Sequence, residues 1–573
     1  MKVLLLCHTF NSLSQRLHVD LRRAGHEVSV ELDIHDDFTR EAVSLFAPDV
    51  IVASFLKRAI PDDVWRHTLC LIVHPGVRGD RGPSALDWAI LNGEATWGVT
   101  LIEAREEMDA GPVWAWREFP MRPAPKSSLY RHEVTSAAVD CVFEALERIG
   151  RGLGPLACSN QGRGQERPPC RAADRVIDPA RHSAAQALRI IHASDADPGA
   201  TLALAGESLR VFDAEPAPGL AGVPGTILAR GGHAAAVAMR EGALWIGHLR
   251  APRPRSLKLP ADRLLEETMR NLPRLAGPER CAYHEEEGVG FIDFRFYNGA
   301  MSHADCELLR ETIAAAKHAG LPVLVLRSGA DCWSNGIHLG IIENAESPAD
   351  ESWRNINAMN DLVREIIETP DRLVIAAVLG NAGAGGVFLS LAADEVWMRD
   401  GVILNPHYKD MGNLYGSEYW TYLLPARIGA ARARQVTQAR LPMGVAEALE
   451  LGLAARRLPA GAHDAARHVK HAALELARAP DLMDRIEAKR VRRLRDEAHK
   501  PLAAYREEEL ERMKRNFYGF DPSYHVARYN FIHKIPKSRT PITLAPHRRV
   551  KPRVDGAWEL PERAGRAALP AKR

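Results

Sequence analysis

Four glycines fall within the seven residues Gly380-Asn381-Ala382-Gly383-Ala384-Gly385-Gly386. They follow the β-rich run Leu373 to Val378 and precede the apolar run Val387 to Ala393, an order that predicts a strand, a glycine turn and the start of a helix. With so few side chains in the way, the backbone can approach a neighbour closely and turn its N–H groups toward an anion or a developing oxyanion. A tight turn that serves only helix packing satisfies the same pattern. A second feature has to choose between the two.

A chain of 573 residues exceeds one hydrophobic core, and typical domain size predicts about three or four domains. With 75 Lys and Arg against 73 Asp and Glu the net charge is only +2, which gives no electrostatic support to a nucleic-acid or acidic-membrane partner. Small-molecule chemistry is the expectation. The eight cysteines are scattered without a CxxC pair, the pattern of a reducing compartment rather than of disulfides or a cysteine-built zinc site. No run approaches the roughly 20 apolar residues of a membrane span, and the opening run is too short for a signal peptide. A cytoplasmic protein is expected. The histidines show neither HExxH nor clustered ligand spacing, so no metal is expected.

Strand and helix signals alternate over residues 1–150, with strands expected at Val3 to Cys7, Glu27 to Leu32, Val50 to Ser54, Cys70 to His74 and Trp97 to Ile102. The alternation predicts an α/β domain with a mostly parallel sheet and ligands at the carboxyl ends of its strands. Ser127 is expected to cap a long helix from Leu129 to Ile149. Residues 151–173, rich in Gly, Pro and Arg, predict an extended linker. Residues 174–275 carry short strands punctuated by Gly and Pro, the pattern of a small β-barrel or sandwich. Alternation returns over 276–459, and the charged region 460–573 predicts helices at Ala460 to Arg478, Pro480 to His499 and Leu502 to Tyr518. Acidic residues interleave with the arginines of the second helix, so a solvated face is expected there.

His74 and Asp109 stand at two expected strand ends, and a histidine beside a carboxylate can move protons. Around them run His74-Pro75-Gly76-Val77-Arg78-Gly79-Asp80-Arg81-Gly82-Pro83, Trp88-Ala89-Ile90, Gly98-Val99-Thr100 and Asp109-Ala110-Gly111. In this order they resemble the signature of folate-dependent formyltransferases. From Ile177-Asp178 the β-rich segment is similar to the barrel domain that follows the catalytic domain in methionyl-tRNA formyltransferase. The resemblance implies 10-formyltetrahydrofolate as donor, with His74 and Asp109 polarising the formyl group and managing protons, and Arg81 among the cofactor-binding residues. The family's catalytic Asn position holds Ile72, which offers no hydrogen bond; Gln15, in the expected loop after the first strand, is the candidate replacement amide.

Cys332-Trp333-Ser334-Asn335-Gly336-Ile337-His338-Leu339 supplies the second feature for the glycine turn. It resembles the crotonase-superfamily motif of aromatic, Ser, any residue, Gly, any residue, Asp and Leu, and with Phe296 to Ser302 and Ala446 to Ala454 the likeness spans residues 288–459. The resemblance implies that two backbone amides, carried over by position to Ile337 and Gly385, hold the thioester oxygen of an acyl-CoA. One such donor is worth about 3 kcal/mol in the transition state. Phe388 replaces the hydratase glutamate, so a reaction other than hydration is implied. Tyr408 and Glu418, in the region of the superfamily's second acid, are the candidate proton-transfer groups.

Over its full length, including Asn405-Pro406-His407-Tyr408, Tyr415-Gly416-Ser417-Glu418-Tyr419-Trp420 and Tyr518 to His525, the chain resembles the HypX (HoxX) family of hydrogenase maturation factors. That resemblance implies transfer of a formyl group from 10-formyltetrahydrofolate to coenzyme A, then decarbonylation of formyl-CoA to the carbon monoxide ligand of the nickel–iron hydrogenase active site. Hydrogenase maturation proteins or the precursor large subunit are the implied protein partners. Lys537 and Arg539 are candidate ligands of the CoA phosphates. Two alternatives stay open: a formylfolate hydrolase fused to an ordinary acyl-CoA hydratase or isomerase, and a non-enzymatic maturation chaperone.

Overall fold

The computed structural model describes residues 1–157 and 162–549. The chain divides into two compact units, one of Met1–Arg122, Leu129–Pro169 and the segment from Pro536 on, the other of Pro123–Ser128 and Cys170–Ile535.

In the first unit, strands β1 (Lys2–Cys7), β2 (Glu27–Leu32), β3 (Val50–Phe55), β4 (Cys70–His74), β5 (Thr96–Glu103) and β6 (Val113–Pro120) form one sheet in the order β2-β1-β3-β4-β5-β6. The first four are parallel, whereas β5 and β6 run antiparallel to their neighbours. Val3 to Cys7 and Val50 to Ala53 are almost wholly inaccessible, as strands covered on both faces must be. β6, which the sequence pattern does not reveal, pairs with β5 along its length. Gln15 lies in the helix Ser12–Arg23 rather than in a loop, because Asn11 caps that helix by accepting from the Ser14 amide at 3.0 Å.

Ser127 is also placed differently from its expectation. Helical backbone begins at Lys126 and continues, through a π-helical turn at Tyr130–Val134, to Gly150. Ser127 is inside the first turn, with its amide and hydroxyl donating to Asp195; a cap has to accept instead. The expected linker is extended but docked: over residues 164–167 its backbone exchanges hydrogen bonds with Arg78 and Arg81 at 2.9–3.2 Å.

The tail is a further difference. Beyond a helix at Ser523–Ile532, residues 536–549 are not helical apart from a short turn at Pro546–Arg548. They lie along β2, where the Val30 amide donates to Leu544 and the Leu32 amide to the Thr540 hydroxyl. Glu31, fully buried, accepts from Thr540 at 2.7 Å, Arg548 at 2.9 Å and His547 at 3.2 Å. A buried carboxylate needs such partners, which a continued helix could not supply.

In the second unit, β7 (Val176–Ile177), β8 (Ala200–Leu204), β9 (Glu207–Pro216), β10 (Ile227–Gly231), β11 (Ala234–Ala238), β12 (Ala243–Arg250) and β13 (Leu259–Pro260) pair as an open path, β10-β11-β12-β9-β8-β7, with β13 on β12. Next come β14 (Cys281–Glu286), β15 (Val289–Phe294), β16 (Val323–Ser328), β17 (Cys332–Ser334), β18 (Leu373–Val378), β19 (Asn381–Gly383), β20 (Glu395–Arg399), β21 (Ile403–Asn405), β22 (Met443–Gly444) and β23 (Arg456–Leu458). They build two sheets, β14-β15-β16-β18-β20-β23 and β17-β19-β21-β22. Val374, Ala376 and Val378 of β18 enter one core and Leu373, Ile375 and Ala377 the other, the period-2 division of a strand buried on both sides. The glycine turn leaves the end of β18, and a helix, Gly385–Leu391, follows.

Candidate active sites

In the first unit, β4 ends on His74, whose imidazole folds back over Gly76. A Cβ at Gly76 would lie 2.4 Å from His74 Nε2, so only glycine admits the ring there. The buried imidazole lies between two carboxylates, with Nε2 3.4 Å from Asp80 Oδ1 and Nδ1 3.7 Å from Asp109 Oδ1. Asp80 Oδ2 accepts from Arg167 Nε at 2.7 Å, and both of those side chains are buried. Asp109, held by the Gly82 amide at 3.1 Å with φ of 56°, is the more accessible carboxylate. The structure thus brings His74 and Asp109 together, and adds an Asp80–Arg167 pair behind the ring.

The other sequence candidates of this unit are more dispersed. Ile72, on the same face of β4 as His74, is half-buried and packs against the cluster of Leu4, Leu6 and Cys70. Gln15 donates its side-chain amide to the Phe10 carbonyl at 2.9 Å, and Arg81 pairs with Glu107. Arg539 donates to Glu41 at 2.9 Å and lies 4.4 Å over the Phe38 ring, while Lys537 is exposed.

In the second unit, two glycine loops meet. Gly336 takes φ of 79°, its amide donates to Ser334 Oγ at 3.0 Å, and its carbonyl accepts from Met301 at 2.9 Å. A Cβ on Gly336 would lie 3.3 Å from the Gly385 nitrogen, and one on Gly386 would lie 2.0 Å from the Ser334 carbonyl. Trp333 Nε1 donates to the Gly386 carbonyl at 2.9 Å. The loops are therefore locked edge to edge, and neither the Ile337 nor the Gly385 amide donates to a backbone acceptor among the described residues. His338, at the superfamily's Asp position, caps the helix Leu339–Asn344 by accepting from the Ile341 amide at 3.0 Å. Burial holds its pKa down at about 4, so the ring is neutral and can accept as an aspartate would.

Glu418 enters this space from the other side. Its Oε2 accepts from Tyr408 at 2.6 Å and from the Ser417 amide at 3.1 Å, while its own amide donates to Asn360 at 2.7 Å. Glu418 and Tyr419 both hold left-handed backbone, φ 60° and 56°, strain of roughly 1–3 kcal/mol each that the surrounding bonds must hold. Burial raises the Glu418 carboxyl to about 7, against the lowering effect of the Tyr408 and Ser417 bonds. Burial, reinforced by Glu418, raises Tyr408 well above the ordinary phenol value. Near neutral pH, then, Glu418 can exchange a proton while Tyr408 keeps its own. Phe388 stacks on Tyr408 at 5.3 Å and 15°, filling the place of a third acid with an apolar ring.

Behind Glu418 lies a second buried carboxyl, Glu509, which accepts from the Tyr419 and Thr421 amides at 2.9 Å and from Ser417 Oγ at 3.3 Å. Burial raises it to about 8. Sequence reasoning passed over Glu509, Asn360, Asp80 and Arg167. Asp80 stands inside the quoted signature and Arg167 inside the expected linker, where pattern gives no reason to single it out. Glu509 did leave a signal: Leu502, Glu509, Met513 and Phe517 share the buried stripe of their helix, whereas Glu507 and Glu508 are exposed.

Known proteins resemble this chain in sequence and fold. The Formyl transferase model matches residues 23–146, the Formyl transferase, C-terminal domain model 170–261, and the Enoyl-CoA hydratase/isomerase model 298–532. Methionyl-tRNA formyltransferase of Myxococcus xanthus is 30% identical over 208 residues, 36% of this chain and 66% of that protein. The crystal structure of HypX from Aquifex aeolicus in complex with tetrahydrofolic acid matches with a TM-score of 0.93 at 47% identity, covering 96% of this chain and 99% of that one. Hydrogenase maturation factor HoxX of Bradyrhizobium diazoefficiens is 58% identical over 555 residues, 96% of this chain and 97% of its own. With both its formyltransferase and its enoyl-CoA hydratase parts in this order, the chain belongs to the HypX (HoxX) family of hydrogenase maturation factors.

Proposed function

We propose that the protein makes carbon monoxide for the active-site iron of nickel–iron hydrogenase, from 10-formyltetrahydrofolate by way of formyl-CoA. In the first unit His74 takes the proton of the CoA thiol as sulfur bonds to the formyl carbon, and returns it to the folate nitrogen as that C–N bond breaks. Asp109 orients the ring, and the Asp80–Arg167 pair fixes its other edge.

The observation that carries the reading is the Glu418 carboxyl, raised to about 7 by burial and seated against Gly385. The Ile337 and Gly385 amides fit a thioester oxygen, and a formyl thioester has no α-carbon that would call for the hydratase acid at Phe388. Glu418 removes the formyl proton, the C–H pair stays on carbon, and the C–S pair leaves with sulfur. The thiolate then takes the proton back, so formyl-CoA yields carbon monoxide and CoA thiol with no oxidant, reductant or water. Tyr408 holds Glu418 in place. Lys537 and Arg539 remain our candidates for the CoA phosphates. The reading places the protein in the cytoplasm, and hydrogenase maturation proteins or the precursor large subunit are its proposed recipients.

Purified protein supplied with 10-formyltetrahydrofolate and CoA is expected to release carbon monoxide, trapped by haemoglobin, only when both are present. Formate released without CoA, with no carbon monoxide, would replace this reading by the formylfolate hydrolase.

A further inference from the structure

In the second unit, Asp213 holds φ of 54° inside β9, backbone strain in a strand that has no turn to make there. The pairing with β12 passes from Ile246 opposite Ala214 to His248 opposite Phe212, which leaves Asp213 facing Gly247. A Cβ at Gly247 would lie 2.3 Å from Asp213 Oδ2 and 3.0 Å from His233 Nε2, so the missing side chain is what lets the carboxylate and the imidazole converge.

His248 gives its Nδ1 to Asp213 Oδ2 at 2.8 Å, and Tyr297 stacks on its ring at 4.4 Å. His233, between β10 and β11, brings Nε2 to 3.7 Å from the same oxygen, beyond hydrogen-bond reach. That nitrogen is buried and has no hydrogen-bond partner among the described residues, which is costly unless something else engages it. One donor atom from each residue lies within 4.8 Å of the others.

We propose that Asp213, His233 and His248 bind a divalent cation of the zinc class. Metal–ligand bonds of about 2.0–2.2 Å set neighbouring ligand atoms of a tetrahedral site roughly 3.4 Å apart. The observed 2.8 Å and 3.7 Å separations straddle that value, so small side-chain rotations complete the set. Two imidazoles and one carboxylate suit zinc and the other late first-row ions. Asp213 is partly exposed, which gives the ion a route in and leaves a coordination position for water. As the metal takes Nδ1 of His248, the proton that nitrogen shares with Asp213 passes to Nε2, so the ring binds as a neutral imidazole. Lys258, whose charge acts on Asp213, donates to the Tyr297 hydroxyl at 2.8 Å and lies 3.7 Å over the Phe212 ring.

Full-length protein, stripped with a chelator, is titrated with Co(II) and then Zn(II) and followed by visible absorption and calorimetry. The expected result is one Co(II) per chain without a thiolate charge-transfer band, displaced by Zn(II). His233→Ala and Asp213→Asn are each expected to weaken binding roughly 100-fold or more; if the alanine variant fails to fold, His233→Gln takes its place. Absence of stoichiometric binding, a thiolate band, or undiminished affinity in the folded variants would overturn the proposal.

Discussion

The Glu418 carboxyl rests directly against the α-carbon of Gly385: a Cβ built on that glycine would lie 2.2 Å from Glu418 Oε1. The proposed base and the glycine proposed to supply an oxyanion amide are therefore in direct contact. Two hydrogen bonds hold the other carboxyl oxygen, so the side chain cannot simply swing aside. Gly385→Ala is expected to displace the carboxyl by about an ångström and to lower carbon monoxide release on the order of 100-fold, with the circular dichroism spectrum unchanged.

With Glu418 as the base, its ionised form is the active one. Turnover is expected to rise with pH up to about 7 and then level off. Glu418→Gln is expected to lose this limb together with roughly 100- to 10,000-fold of the rate, measured by carbon monoxide trapping across the pH range.

Tyr408 donates to the ionised form of Glu418 and so lowers its pKa. Removing that donor in Tyr408→Phe is expected to shift the rising limb to higher pH while leaving the plateau rate closer to wild type than Glu418→Gln does. A limb that stays in place would exclude this role for the phenol.

Glu418 and Glu509 are both raised by burial, to about 7 and about 8. The folded protein thus holds protons that the unfolded chain has already released, and stability is expected to fall as pH rises from about 4.5 to about 8. Glu509→Gln, with no proton to lose at that position, is expected to show a shallower fall, read from denaturation midpoints over this window.

Arg167 is the buried counter-charge of Asp80. Its replacement by Met leaves that carboxylate unpaired, an expected loss of about 3–5 kcal/mol. Amide hydrogen exchange over residues 74–82 is expected to accelerate accordingly.

Much of this was legible in the sequence because it depends on short-range order. The β18 run, its glycine turn and the following helix announce themselves, and the Trp333-to-Leu339 motif marks the loop that the turn packs against. Proposing Gly385 and Ile337 needed only chain position, since the groups proposed there are backbone amides. What pattern does not show is pairing at a distance. Arg167 lies in a stretch without periodicity, yet its partner is 87 positions away. Asn360 reaches Glu418 across 58 positions, and nothing local distinguishes it from a solvated asparagine. Ser127 failed for a related reason: the hydroxyl of a serine near a helix start can accept or donate, and the distant Asp195 decides which.

The tail on β2 ties the beginning of the chain to its end in time as well as in space. Glu31 emerges early in synthesis, but Thr540, its first partner in the tail, follows 509 residues later. Until then the carboxylate has no counter-charge from His547 or Arg548, and the β2 edge has yet to receive the tail that covers it. A ribosome that stops short of the tail would leave Glu31 without Thr540, His547 and Arg548, so the first unit depends on synthesis continuing through the tail.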